Sequence, residues 1–173
     1  FSETGQTNPE NARLNILLIT TDDQGIQAGC YGDSLAKTPN IDRLSEEGVM
    51  FTNAYVTHAS CSPSRSSILT GLYPHQNGQI GLAGSHPEYR IHEDIETLPD
   101  LLKEAGYYTG IIGKLHLSPP NMFQFDYDQR KANNPKTRRD VYNIAQLSDN
   151  FLSENQSKPF FLYVNFFDPH RPY

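Results

Sequence analysis

At 173 residues with 36% hydrophobic side chains, the chain is long enough to close a domain around a real core and too apolar to stay disordered. A formal net charge of −6 excludes a generally basic, nucleic-acid-coating surface, so no nucleic-acid partner is expected. An anionic ligand would need a local positive site, most simply a bound metal with a few Lys, Arg and His.

Phe1 to Asn11 is polar, starts without Met and lacks the charged-then-apolar form of a signal peptide, so residues 1–12 read as a flexible leader compatible with export. The sequon Asn155-Gln156-Ser157 is too common a pattern to add to that. Leu14 to Thr21 is a near-continuous apolar run ending in Asp22-Asp23, the pattern of a central strand buried on both faces of a parallel sheet. Adjacent carboxylates at such a strand end stand where α/β sheets place their ligands. They repel each other, and either hold a cation or form a solvated acidic turn.

A loop over 24–37 leads to Thr38-Pro39, cap and first residue of a helix that ends near Gly48 with Ile41 and Leu44 on its inner face. Val49 to Val56 is β-branched and aromatic, which predicts a second strand. Ser62 as N-cap, Pro63 at the first position and Gly71 past the end then define a helix. Cys61 therefore sits at a helix N-terminus, where unpaired N–H groups and the dipole favour an anion and Arg65 adds positive charge. Such a place activates a thiol, but a small buried hydrophobe and a disulfide with Cys30 are competing readings. Neither cysteine has a partner at C-x2-C spacing, which argues against zinc.

Tyr73 to Glu96 reads as a long loop whose His75, His86 and His92 are each surface or packing residues. Thr97 caps a helix with Leu98, Leu101 and Leu102 inward, stopping at Gly106, and Tyr107 to Gly113 is a buried strand. If extended geometry continues, Lys114 and His116 project together into one site; otherwise they are an ordinary polar strand end. Ser118 to Asn134 shows no periodicity, whereas Val141, Ile144, Leu147 and Phe151 lie at helical spacing within 137–155. Pro159 to Phe167 is a further apolar strand that delivers Asp168-Pro169-His170. This order predicts an α/β sandwich, a mostly parallel central sheet flanked by helices.

Cys61-Ser62-Pro63-Ser64-Arg65, followed by Leu69-Thr70-Gly71-Leu72-Tyr73-Pro74-His75, resembles the C-x-P-x-R signature of the sulfatase family. Asp22-Asp23, Thr38-Pro39-Asn40-Ile41-Asp42, Gly113-Lys114-Leu115-His116 and His170 match further family segments, from about Asn15 to the last residue. The resemblance implies an alkaline-phosphatase-like fold and conversion of Cys61 to formylglycine by a maturation enzyme, with the hydrated aldehyde as nucleophile. It implies that Asp22, Asp23 and position 61 ligate calcium, in preference to magnesium. Arg65 and Lys114 would position the hydrate, Lys114 would also hold sulfate, and His116 would hydrogen-bond the hydrate. His170 would contact the sulfate and protonate the leaving group. The family has a further Asp-Asn metal pair and a basic residue beyond the last strand seen here. Residues 13–173 thus read as the N-terminal portion of a catalytic domain, incomplete and inactive alone.

His75-Gln76-Asn77-Gly78, Gly110-Ile111-Ile112-Gly113 and Phe160-Phe161-Leu162-Tyr163-Val164 with Asp168-Pro169-His170-Arg171 most resemble the sulfamidase branch of that family. This implies a hydrolase of sulfate esters or sulfamates in glycosaminoglycan degradation, acting on a sulfated sugar such as N-sulfoglucosamine. Its compartment would be periplasmic, extracellular or lysosomal, and nothing opposes a homo-oligomer. Asp168 either binds an amino-sugar nitrogen or ring hydroxyl, or caps the turn before Pro169. The alternatives are an O-sulfatase on another glycan, a phosphodiesterase or phosphonate hydrolase of the same superfamily, and an inactive carbohydrate-binding relative. Intact Asp22, Asp23, Cys61, Arg65, Lys114, His116 and His170 speak against the last.

Overall fold

The computed structural model describes residues 13–130, 139–154 and 157–171. The leader, the sequon's Asn155 and Gln156, and the first residues of the last expected helix lie outside that set. The strands are β1 (Ile16–Thr21), β2 (Tyr108–Gly113), β3 (Tyr127–Gln129) and β4 (Phe160–Phe166). They form one four-stranded sheet in the order β1-β4-β2-β3, with every neighbouring pair parallel. The helices are α1 (Pro39–Glu47), α2 (Cys61–Thr70), α3 (Pro74–Asn77), α4 (Leu98–Glu104) and α5 (Val141–Glu154).

Side-chain alternation along the two inner strands divides the core. Ile111, Phe161 and Tyr163 face one side, packed with Leu69 of α2, Ile91 and Phe123, and with Leu98 and Leu102 of α4 against the cluster. Ile112, Leu162 and Val164 face the other side and meet Ile144 and Phe151 of α5. Phe151 is fully buried, with the rings of Tyr108, Tyr127 and Phe160 each 5.4 Å away, and its edge lies over Gly110 where any side chain would collide.

Three expectations need correction. Among the described residues β1 lies at the edge of the sheet, where a central strand was expected, and Leu17 and Ile19 are each 54% exposed; the apolar run set its conformation, and no described strand covers its other side. Val49 to Val56 forms no strand and Tyr55 is 91% exposed. β-propensity measures fit to a pleated, packed surface, and no strand lies alongside this segment among the described residues. Conversely, β3 arises from the aperiodic stretch after Ser118, because three residues paired to Gly110–Ile112 are too few to show an alternation.

Candidate active site

Because all four strands run parallel, their carboxyl ends share one edge of the sheet. There β1 presents Asp22 and Asp23, β2 presents Lys114 and His116, and β4 presents Asp168 and His170. α2 brings Cys61 and Arg65. Its N-cap is Ser60, with extended φ and ψ of −153° and 147°, so Cys61 is the first helical residue. Ser62 is therefore not the cap and Pro63 is not first. Pro63 remains tolerated because N–H groups of the first turn have no intrahelical acceptor. Gly71 closes the helix at φ 70°, as its sequence position requires.

Asp22, 5% exposed, is the charged centre. Lys114 Nζ donates to its Oδ2 at 2.5 Å, and Arg65 lies 3.7 Å from Oδ1. Burial alone would raise the Asp22 carboxyl, but the Lys114 hydrogen bond and charge, followed by Arg65 and His170, hold it below the usual carboxylate value. Arg65 is itself buried and donates to Lys114 O at 2.9 Å, to Tyr163 Oη at 3.3 Å and to Asn165 Oδ1. Asn165 also accepts from Thr20 Oγ1 at 2.9 Å, so the guanidinium is tied to the cores of β1, β2 and β4.

Cys61 and Cys30 are both free, which removes the disulfide reading. Asp22, Cys61 and His170 each offer a ligand atom, all within 4.8 Å of one another. Asp23 is not in that set. It stands at φ 64°, and its Oδ2 lies 3.8 Å from His170 Nε2. Asp168 is ion-paired with Arg139, which also donates to the carbonyl of His170 and stacks its guanidinium 4.8 Å from the Phe167 ring centre.

Extended geometry does not continue past β2: Gly113 and His116 have φ of 88° and 53°. Lys114 and His116 therefore reach the cluster through a turn, not as alternate residues of a strand. The His116 ring is nonetheless close enough to feel Lys114 and Arg65; burial first, and the Lys114 charge second, push its pKa below the ordinary histidine value. His116 Nδ1 is buried and has no hydrogen-bond partner among the described residues.

Sequence reasoning missed Asn165, Tyr163 and Arg139. Asn165 carried a signal, as the lone polar residue in the otherwise apolar run Phe160 to Phe167. Arg139 carried none, since its partners lie 29 and 31 residues away. The buried Asn77 and Gln79, within the expected loop, hold that loop to α2 and to Ser118 through their amides.

A sequence model described as Sulfatase matches residues 14–173. The N-sulphoglucosamine sulphohydrolase of Homo sapiens is 42% identical over 159 residues, 91% of this chain and 32% of its own length. The N-acetylglucosamine-6-O-sulfatase of Bacteroides thetaiotaomicron is 36% identical over 181 residues, 94% of this chain and 32% of its own length. The chain thus spans about a third of the length of either relative. Among solved structures, that of Ps i-CgsB superposes with a TM-score of 0.78 at 30% identity, covering 93% of this chain and 46% of that one.

Proposed function

From the premise that this chain belongs to the sulfatase family and has its alkaline-phosphatase-like α/β fold, we propose that it carries the reaction centre of a hydrolase acting on a sulfated sugar, N-sulfoglucosamine foremost. The observation that carries the reading is the meeting of Asp22, Cys61 and His170 within 4.8 Å, flanked by the buried cations Lys114 and Arg65. A nucleophile at a helix start, two cations for sulfonyl oxygens and histidines for proton transfer are what sulfuryl transfer needs.

The donors also suit a divalent cation. With Cys61 converted to formylglycine, position 61 would offer oxygen instead of sulfur beside the Asp22 carboxylate and the His170 ring, and Asp23, which stands outside that group, would add a further hard oxygen donor of the type calcium prefers. When bound, the ion would supply positive charge to the sulfate and lower the pKa of the attacking hydroxyl. Lys114 and Arg65 orient the sulfate and the hydrate. One hydroxyl at position 61, its proton lost to solvent, attacks sulfur, the bond from sulfur to the sugar nitrogen or oxygen breaks, and His170 gives its proton to the departing atom. His116 then takes the proton of the second hydroxyl while the C–O bond to sulfate breaks, restoring the aldehyde and releasing sulfate. Asp168 would receive a sugar amine or hydroxyl beside its Arg139 pair.

Release of sulfate by the full-length protein that contains this chain, from N-sulfoglucosamine and from 6-O-sulfoglucosamine with phosphate and phosphonate esters in parallel, tests the reading. Faster turnover of the O-sulfated sugar would overturn the sulfamidase assignment. Faster turnover of the phosphorus esters would overturn the sulfatase assignment. Mass spectrometry of the peptide containing position 61 reads the exchange of CH2SH for an aldehyde. Near-normal activity in Cys61→Ala would remove this residue from the chemistry.

A further inference from the structure

The ends of β1 and β4 and the start of α2 bring three unlike donors together: the Asp22 carboxylate, the Cys61 sulfur and a His170 ring nitrogen, all within 4.8 Å of one another. Oxygen, sulfur and nitrogen are the mixture that zinc takes, whereas calcium and magnesium want shells of oxygen. C-x2-C spacing, whose absence argues against zinc in the sequence, marks structural sites built from neighbouring residues. Ligands gathered from three separate elements leave no such spacing.

The His170 ring is already set as a ligand. Its Nδ1 lies 2.5 Å from Arg171 O, and a carbonyl oxygen only accepts, so Nδ1 carries the proton and Nε2 keeps its lone pair. A metal-ligating histidine commonly donates its other N–H in this way, which fixes tautomer and orientation. The backbone around it is held too, by the bond from His170 N to Phe167 O at 3.1 Å and by Arg139 donating to His170 O. Cys61 is free, half-buried and first in α2, where unpaired N–H groups favour the thiolate. Asp22 keeps Oδ1 for a cation, since Lys114 takes Oδ2 and Arg65, at 3.7 Å, is too far from Oδ1 to donate to it. Lys114 and Arg65 oppose a dication; the thiolate, Asp22 and Asp23, whose Oδ2 is 3.8 Å from His170 Nε2, answer them. Tetrahedral zinc spaces its donors about 3.5 Å apart, so closing the set takes a movement of about 1 Å, within reach of the half-buried Cys61 and His170 side chains.

We infer that the protein with an unmodified Cys61 holds a zinc ion on Asp22, Cys61 Sγ and His170 Nε2, with a fourth position open to water, and that oxygen in place of the sulfur releases it. Binding sends the thiol proton to solvent as the Zn–S bond forms, and nothing is oxidised or reduced. Zinc here occupies position 61 and the His170 lone pair, so it excludes the oxygen-ligated cation described above. The zinc site rests on the donor atoms alone; its loss on conversion rests on the reading of position 61 as formylglycine.

The test uses the full-length protein that contains this chain, made without the maturation enzyme, with mass spectrometry verifying cysteine at position 61. Cobalt(II), a coloured stand-in for zinc, should give a thiolate-to-metal charge-transfer band that one equivalent of zinc bleaches. Cys61→Ser should abolish the band and weaken zinc binding about 100-fold, read by competition with a chromophoric chelator, and His170→Gln should weaken it about 10- to 100-fold. Cys30→Ser should change neither reading, and zinc should slow iodoacetamide alkylation of Cys61 but not of Cys30. No band in the unaltered protein overturns the site without any variant having to fold, as does a band that survives Cys61→Ser. Equal zinc affinity before and after conversion overturns the release. A position 61 that the maturation enzyme never converts defeats the functional reading instead, and the cobalt band still decides the zinc site.

Discussion

Replacing Arg65 by Met should cost far more than losing a surface charge, because the guanidinium meets several buried acceptors at once. At 3.7 Å from Asp22 its Coulomb attraction is about 4.5 kcal/mol with an effective dielectric of about 20, before the cost of stripping water from both ions. Removal also takes the side-chain donor from Lys114 O and one of two donors from Asn165 Oδ1, which keeps the Thr20 hydroxyl. Breaking one side of a buried pair costs about 3–5 kcal/mol, and Lys114 still compensates Asp22, so the lower half of that range is expected. Urea unfolding of Arg65→Met, Asp22→Asn and the double variant gives the cycle. The two losses should fail to add by about 1–3 kcal/mol, since neutralising Asp22 removes the charge that Arg65 answers. A single-variant loss below about 1 kcal/mol, or strict additivity, would refute the claim that this pair is a coupled element of the buried site.

Phe151→Ala empties a fully buried position among three aromatic rings and should cost about 3–5 kcal/mol by denaturant unfolding. Gly113→Ala places a methyl 2.3 Å from the Asn165 carbonyl at a backbone φ of 88°. The left-handed backbone alone costs about 1–3 kcal/mol, and kcat should fall because Asn165 holds Arg65. Asp22 has a folded pKa lowered below its ordinary 3.8, so its stability contribution is full above that value and is lost as pH falls through the folded one. In Lys114→Met, burial still raises the carboxyl but its main opponent is gone, and acid unfolding followed by circular dichroism should begin at higher pH. In its proposed role in turnover the His116 ring would accept a proton only while neutral, and its pKa is lowered from 6.5. The acid limb that this group sets in the pH–rate profile should therefore lie below 6.5; a limb above that value would contradict the assignment.

Much of the site was legible because its residues sit where local patterns end. Asp22, Lys114 and His170 each follow an apolar run that predicts a strand, and parallel strands put their ends on one edge. The start of α2 was placed within two residues because Pro and Ser suit several first-turn positions equally well. Rank in the sheet was not legible: Leu17 and Ile19 read like core residues, yet among the described residues β1 pairs on one side only, and pairing partners alone decide a strand's rank. Nor were the groups that hold the site residues, such as Arg139 behind Asp168 or Gln79 behind Ser118, since a side-chain amide or guanidinium gives no periodic signal.

The links across the sheet edge join residues very far apart along the chain: Lys114 to Asp22 over 92 positions, Arg65 to Asn165 over 100 and Thr20 to Asn165 over 145. A partly folded chain with β2, β3 and α5 docked but β1 free would hold a substantial core and yet no charged centre, because Asp22 arrives only with β1. Loss of the Asp22 pairing is then a report on the last long loop to close, and any probe that reads it separates chains that are compact from chains that are finished.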